Sequence, residues 1–126
     1  MLKDTFYYGT GWISFSAAGT QSVNINIGKD ADFNCNYFTL TVRQSDVTVT
    51  NWGGDILIKD SAAGKDLMNV AIPGAALAGD GRQPYPLPGG SRAFMRNTTI
   101  IVTITHNCAT ATDLNFVLHG DKVISY

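Results

Sequence analysis

The sequence predicts an all-β fold, a jelly-roll or Greek-key β-sandwich that carries an extended N-terminal arm. Apolar and polar residues alternate with a period of two in several short segments, which is the pattern of half-buried strands. Clusters of Gly, Pro, Asn and Asp separate these segments, and no segment keeps the period of an amphipathic helix. At 126 residues the chain is long enough to bury one core, so we expect an arm at residues 1–20 and a single domain at residues 21–126.

The arm is predicted because Gly9, Gly11 and Gly19 interrupt any regular period in residues 1–20. Large aromatic rings are costly to leave in water and are common at protein interfaces. Two interpretations stay open, since the rings either fold back over the sheet of their own chain or contact a neighbouring subunit. The aromatic residues of the arm are Phe6, Tyr7, Tyr8, Trp12 and Phe15.

The strands of the domain are short runs, each with one apolar face. In the first run Val23, Ile25 and Ile27 alternate with polar residues, and Gly28 ends it. A Gly-rich turn before Asp55 predicts that the runs on either side of it pair as a hairpin. The predicted strands cover residues 21–27, 37–43, 47–51, 55–59, 98–105, 114–119 and 122–126, with a weaker apolar run at 66–72. Gly120 and Asp121 are predicted to form the turn between the last two strands.

A loop rich in Pro and Gly precedes the strand predicted at residues 98–105. Its prolines lack a backbone N–H and hold the chain extended, so we expect a semi-rigid projection that contacts a partner. Arg82, Arg92 and Arg96 are the basic groups around this loop, where they either pair with acidic groups of a partner or line a solvated rim. The predicted protein interface consists of the arm aromatics Phe6, Tyr7, Tyr8, Trp12 and Phe15 together with Arg82, Pro84, Tyr85, Pro86, Pro88, Arg92 and Arg96.

Composition excludes some classes of partner. Charged residues make up 15% of the chain and the formal net charge is -1, so binding of nucleic acid through a basic surface is not expected. The first residues lack the pattern of a secretion signal, and no segment reaches the roughly 20 apolar residues that cross a bilayer. Cys35 and Cys108 have no metal-site spacing, so we expect free buried thiols, with a disulfide possible only in an oxidising compartment.

The sequence contains no catalytic, metal or cofactor motif, so we expect a protein that is not an enzyme and holds no cofactor. His106 and His119 lie at predicted strand ends near Asp113 and Asp121, but no serine stands in a nucleophile setting. Asp30 and Asp32 are better explained by a solvated turn than by a cation site.

A sugar platform is the alternative function that the aromatic residues suggest. Trp12, Trp52 and Tyr85 are the residues that would form it. Packing of Trp52 over the edge of a sheet is the competing interpretation of that residue.

Several segments, taken in order, resemble those of one family. They are DADF, ILIKDSAAGKDLMN followed by a proline, PYPLP, TTIIVTITHN and LNFVLHGDKV, which together span residues 30–123. They look like small head-associated proteins of tailed bacteriophages, the decoration or cement proteins. The resemblance implies a jelly-roll-like, oligomeric protein that sits over joints between major capsid subunits.

We therefore expect a structural virion protein that binds and stabilises the outer surface of a bacteriophage head. Its expected partners are the major capsid protein and copies of itself, as a homotrimer or homodimer, without nucleic acid or membrane. Its expected location is the capsid exterior after synthesis in the host cytoplasm. The alternative is a carbohydrate- or receptor-binding β-sandwich module of a virion or secreted protein.

Overall fold

The computed structural model describes residues 2–44, 47–49, 52, 54–61, 65–66, 71–73, 91–107 and 110–124. All regular secondary structure in this part of the chain is β-strand, and all of the strand pairs are antiparallel. The strands are β1 (Leu2–Phe15), β2 (Gly19–Asn26), β3 (Asp32–Gln44), β4 (Val47–Val49), β5 (Asp55–Asp60), β6 (Lys65–Asp66), β7 (Ile72–Pro73), β8 (Arg92–Phe94), β9 (Thr99–His106) and β10 (Thr112–Ile124).

The strands form two sheets. The first has the order β1-β10-β3-β4, and β8 pairs with the N-terminal end of β3. The second has the order β2-β9-β5-β6, and β7 pairs with β5. Apolar side chains from both sheets join in a single core cluster. The prediction of an all-β sandwich is therefore confirmed.

The centre of the second sheet is β9, which lies between β2 and β5. Ile100, Val102 and Ile104 are 0% exposed, while the residues between them are half-buried on the outer face. β-branched side chains suit such a pleated surface, because their restricted rotamers pack well against cross-strand neighbours. The strand predicted at residues 98–105 is confirmed, with bounds at Thr99–His106.

The expected irregular arm is instead strand β1, which pairs with β10 over nearly its whole length. A β-bulge between Gly9 and Trp12 hides this strand from a period-two search, because the extra residue reverses which face each later side chain takes. Gly11 has a φ of 73°, a conformation that glycine adopts without strain. Ile13 and Phe15 lie beyond the bulge and are 5% and 4% exposed, so this part of the strand belongs to the core.

The predicted hairpin between residues 47–51 and 55–59 is wrong. Strand β4 pairs with β3 in the first sheet, whereas β5 pairs with β9 in the second. Trp52, between the two strands, is buried, and a Cβ on Gly54 would collide with its ring and with the backbone of β9. Because it has no side chain, Gly54 lets the chain pass from the first sheet to the second beside Trp52 and β9.

The turn predicted at Gly120 is also wrong, because β10 continues without interruption from Thr112 to Ile124. A Cβ at Gly120 would overlap the carbonyl of Asn34 on the neighbouring strand. This glycine therefore serves a close approach of two backbones at a bulge in the β10–β3 register. Strand β3 likewise begins at Asp32, within the segment predicted to be a solvated turn.

Candidate functional site

The arm aromatics divide into buried and exposed groups. Phe15 packs in the core with its ring centroid 5.3 Å from that of His106, so it contacts its own domain and is not a surface anchor. Tyr8 packs against the core, and its hydroxyl accepts a hydrogen bond of 3.0 Å from the backbone N–H of Gly28. Phe6, Tyr7 and Trp12 are exposed by 36%, 58% and 46%. Only these three present large apolar surface to solvent among the aromatics expected in the arm.

The register of β1, β10 and β3 places matching side chains in rows on the outer face of the first sheet. Tyr7, His119 and Tyr37 form one row, and Gly9, Val117 and Thr39 form the next. The third row is Trp12, Asn115 and Thr41, and the fourth is Ser14, Asp113 and Arg43. We call these four rows the outer face.

The first row is a chain of three rings in contact, one pair stacked and one pair edge-on. The His119 imidazole stacks on Tyr37 with centroids 4.6 Å apart and an interplanar angle of 17°. Tyr7 meets the same imidazole edge-on, at 4.9 Å and 84°. Such geometries are favourable for aromatic pairs, so the row is a semi-rigid ridge across three strands.

An ion pair, Arg43 with Asp113, lies against the indole ring of Trp12. The Arg43 guanidinium carbon lies 4.0 Å from the centroid of the Trp12 ring, and Arg43 Nε donates to Asp113 Oδ2 at 3.3 Å. Asp113 also accepts a hydrogen bond of 2.8 Å from the hydroxyl of Ser14. The indole is therefore positioned by a cation–π contact whose cation is neutralised by its own ion pair.

On β1, Gly9 lies between the ring row and the Trp12 row, opposite Val117. The two rows are separated by about 13 Å, since positions four residues apart on one strand have that spacing. A Cβ at Gly9 would make only ordinary contacts, 3.5 Å to Val117 and 3.9 Å to Asn115, and its φ is not positive. Neither backbone strain nor crowding therefore requires glycine at this position.

Two polar atoms on the outer face have no hydrogen-bond partner. They are Oδ1 of Asn115 and Nδ1 of His119, each shielded from solvent. The other imidazole nitrogen of His119 bonds Thr39 Oγ1 at 2.6 Å, and burial lowers the pKa of the His119 side chain. Buried polar groups are normally paired, so these two atoms are exceptions that lie beneath the surface of the outer face, out of reach of a ligand.

The histidines are not arranged as bases oriented by a carboxylate. His106 is 1% exposed, accepts from Trp52 Nε1 at Nδ1 and bonds the carbonyl of Thr110 with its other nitrogen. His119 contacts Thr39 and two tyrosines. Among the described residues, neither histidine is hydrogen-bonded to Asp113 or Asp121. Asp113 instead binds Ser14 and Arg43, and Asp121 accepts from Thr5.

Asp30 and Asp32 are engaged with basic side chains. Lys122 Nζ donates to Asp30 at 3.0 Å, and this hydrogen bond is the largest of the effects that lower the pKa of Asp30. Asp32 accepts from the backbone and from Nε of Arg96, which lowers its pKa. Over the described residues, no group of three or more His, Cys, Asp or Glu side chains is placed to hold a metal ion.

Cys35 is a free thiol that is 0% exposed. Burial raises the pKa of its side chain to about 12, so it is a core residue without nucleophilic character. Cys108 lies outside the described residues.

The Pro-rich loop is only partly within the structure. Arg82, Pro84, Tyr85, Pro86 and Pro88 lie outside the described residues. Arg96 pairs with Asp32 of its own chain, and the shielded Nε of Arg92 has no partner.

The sugar platform predicted from Trp12, Trp52 and Tyr85 does not form as expected. Trp52 is 7% exposed and hydrogen-bonded inside the sandwich, which confirms that it packs over its own sheet. Trp12 alone of the two tryptophans faces solvent. Sequence reasoning missed its neighbours on β3 and β10, because cross-strand register cannot be read from either strand alone.

Comparisons with known proteins identify no family. No family model matches the chain, and no curated protein matches it. Among solved structures, dimeric latent PorU from Porphyromonas gingivalis is similar over 97% of this chain, with 10% identity and a TM-score of 0.42. This chain spans 13% of the length of that protein. A likeness at this level supports no statement about function.

No helix in the described residues has the length and apolarity to cross a bilayer.

Proposed function

We propose that the chain is a structural virion protein, a jelly-roll-like decoration or cement subunit that binds the outer surface of a bacteriophage head. Its partners are the major capsid protein and copies of itself in a homotrimer or homodimer. It is made in the host cytoplasm and acts on the capsid exterior. It works by contact and performs no reaction.

The observation that carries the proposal is the edge of β1. Among the described residues, β10 is the only strand that pairs with β1, so within this part of the chain no strand pairs with the other edge of β1. An open edge presents a row of backbone donors and acceptors to which another chain can add a strand. The bulge limits the straight part to residues 2–9, which contains no proline.

Side chains beside this edge add apolar contact. Phe6 is 36% exposed and lies near the ammonium group of Lys122, 4.0 Å from its ring centroid. The ammonium group is itself paired with Asp30, so the ring offers apolar surface beside a neutralised charge, which suits a protein partner. Many copies on one shell make modest single contacts sufficient for attachment.

A direct test uses the two proline variants Asp4→Pro and Thr5→Pro. Neighbouring N–H groups of a strand point to opposite edges, so one variant removes a bond to β10 and the other blocks only the open edge. The thermal midpoint distinguishes them, and the variant that keeps the parent midpoint is the one assayed. Co-sedimentation uses shells assembled from the major capsid protein of the same genome.

We expect the parent to sediment with these shells and the edge-blocked variant to lose most of that binding. Phe6→Ala is the matched control for the aromatic contribution, and we expect a weaker loss. If the parent does not bind the shells, the proposed function is wrong. If the parent and both proline variants bind equally, the assignment of the contact to β1 is wrong.

A further inference from the structure

The second sheet ends at strand β2, and this edge differs from the other edges of the sandwich. Among the described residues, β9 is the only strand that pairs with β2, and the pairing runs from Gly19 to Asn26 without a register shift. At the other ends of the two sheets, β1 is interrupted by its bulge, and β4, β6, β7 and β8 are two or three residues long. In this part of the chain, β2 is therefore an edge that stays regular along its whole length.

The sequence of β2 lacks the features that protect an edge. Natural edge strands usually carry a bulge, a proline or charged side chains, which prevent another strand from pairing with them. The strand reads GTQSVNIN and contains neither a proline nor a charged residue. Most of its residues are exposed, and Gln21 is exposed although it lies on the same face of the strand as the buried Ile25. Nothing in the strand itself therefore opposes pairing with another chain.

The backbone groups of β2 divide between its two edges. The N–H of Ile27, just beyond the strand, donates to the carbonyl of Thr98 at 2.8 Å, so Ile27 is bonded toward β9. In an antiparallel ladder, every second residue directs both of its backbone groups to the same neighbouring strand. The odd-numbered residues of β2 therefore bond β9, and the even-numbered residues direct their N–H and C=O groups to the opposite edge. These even-numbered residues are Thr20, Ser22, Asn24 and Asn26.

The side chains of β2 leave this edge uncovered. The hydroxyl of Thr20 is hydrogen-bonded to that of Thr105 on β9 at 3.3 Å. The hydroxyl of Ser22 is bonded in the same way to that of Thr103 at 2.9 Å. These cross-strand bonds hold the side chains over β9, and all of the even-numbered residues of β2 are exposed. Their outward backbone groups are therefore accessible to another strand.

A second copy of β2 is complementary to this edge. In an antiparallel pair centred on Val23, Thr20 of one copy lies opposite Asn26 of the other, and Ser22 lies opposite Asn24. This register pairs every outward-directed residue at once and keeps the core-facing side chains of both copies on one face. Val23 is half-buried in the single chain, and its remaining surface would contact Val23 of the second copy. Because the strand carries no charge, the two copies bring no like charges together.

We infer that β2 is a dimerisation edge, at which two copies of the chain pair β2 with β2 about a two-fold axis at Val23 and join their second sheets into one. This inference rests on the proposed function in one respect, the association with copies of itself, and it selects the homodimer. It does not depend on capsid binding. One strand per copy makes a small interface, so the dissociation constant is about 100 μM.

Two measurements on the free chain test the inference. Sedimentation equilibrium between about 10 μM and 1 mM should show a monomer–dimer equilibrium. Amide hydrogen exchange followed by nuclear magnetic resonance locates the contact. The N–H groups of Thr20, Ser22, Asn24 and Asn26 should exchange more slowly as the concentration rises. The N–H of Val23 is bonded to β9 in the single chain and should change less.

Three substitutions at one position separate the possible causes. Asn24→Pro removes an N–H that is directed away from β9, a position at which edge strands tolerate proline, and should weaken dimerisation at least tenfold. Asn24→Lys keeps the N–H but places two ammonium groups beside the two-fold axis, so it should weaken dimerisation in a salt-dependent manner. Asn24→Ala is the matched control, because it keeps the N–H and adds no charge, and it should dimerise like the parent.

Some results would overturn the inference. They are a chain that stays monomeric at about 1 mM, a trimer, a dimer that persists in both Asn24→Pro and Asn24→Lys, or slowed exchange in β1 without any change in β2. The thermal midpoint of each variant is measured first, and if Asn24→Pro is unfolded, Asn24→Lys and the exchange pattern decide. Dimerisation without binding to capsid shells would contradict only the proposed capsid attachment, and binding of a monomer to the shells only this inference.

Discussion

The indole N–H of Trp52 donates a hydrogen bond of 3.0 Å to Nδ1 of His106 inside the sandwich. Because Nδ1 accepts this bond, the imidazole proton lies on Nε2, which donates to the carbonyl of Thr110 at 3.0 Å. The two rings are nearly parallel, with an interplanar angle of 10°. The hydrogen bond links the segment that crosses between the sheets, where Trp52 lies, to His106 at the end of β9.

Replacing Trp52 by Phe is expected to destabilise the protein by about 2–4 kcal/mol, because it leaves a buried acceptor on His106 unpaired and opens a cavity. Urea unfolding followed by circular dichroism measures the change. Trp12→Phe is the matched control, since Trp12 is exposed, and we expect a change within about 0.5 kcal/mol. Equal midpoints for the two variants would show that the Trp52–His106 bond does not stabilise the fold.

Two glycines of the first sheet should respond in opposite ways to the same substitution. Gly120→Ala places a methyl group against the carbonyl of Asn34, and we expect a loss of about 2 kcal/mol or more. Gly9→Ala meets only ordinary contacts and is expected to be neutral or to stabilise by about 0.5–1 kcal/mol. Thermal unfolding of both variants checks this. A tolerated Gly120→Ala would contradict the close approach of β10 and β3.

Stability should decrease as the pH falls below about 6.5, the ordinary pKa of histidine. Burial lowers the pKa of His119 in the folded protein, so the unfolded chain takes up a proton first and is favoured as the pH falls. The loss ends below the folded pKa, where both states are protonated. Above pH 6.5 both states are neutral and this contribution is complete.

The measurement is the free energy of unfolding in urea between pH 7.5 and 5.0, in the parent and in His119→Phe. The phenyl ring keeps the stack on Tyr37 but cannot titrate, so the variant should show a smaller decrease over this range. The lowered pKa values of Asp30 and Asp32 act at lower pH, because those carboxyls lose their stabilising charge only below about 3.8. Identical slopes in parent and variant would contradict the assignment to His119.

Cys35 should be inert in the folded protein. Its thiol is buried and its pKa is raised to about 12, so thiolate is scarce at pH 8. In a Cys108→Ser background, we expect no reaction with a chromogenic disulfide reagent until urea unfolds the chain, followed by release of one equivalent. Rapid labelling of the native protein would show that Cys35 is accessible. The parent, unfolded without reductant, reports whether the two thiols are free, as the sequence predicts.

Local sequence patterns predict a strand and its buried face correctly where the strand keeps one face toward the core without interruption. In β9 the alternation of Ile100, Val102 and Ile104 with outward residues predicted both the strand and its buried face. The same reasoning failed in β1, because the extra residue at the bulge reverses the alternation between Tyr8 and Ile13. Gly120 predicts a turn when only its neighbours in the sequence are considered. In the structure it instead permits two backbones to approach closely.

The sequence predicts only part of the candidate site. The exposed aromatics Tyr7 and Trp12 were singled out from composition, but Phe15 and Trp52 share that chemistry and are buried. Which rings face solvent depends on strand register. Partners such as His119 and Arg43 lie far away along the chain and meet β1 only through the order of strands in the sheet.

By itself, the sequence determined that the chain is all-β, because period-two alternation and frequent breaks leave no helix to form. It also determined that the surface carries little charge. Only the tertiary structure decided that residues 2–15 form a strand paired with β10, that Trp52 is a core residue and that Trp12 faces solvent. The physical reason is that pairing and burial are long-range: a side chain's environment is set by the strand beside it, which the neighbouring residues in the chain do not specify.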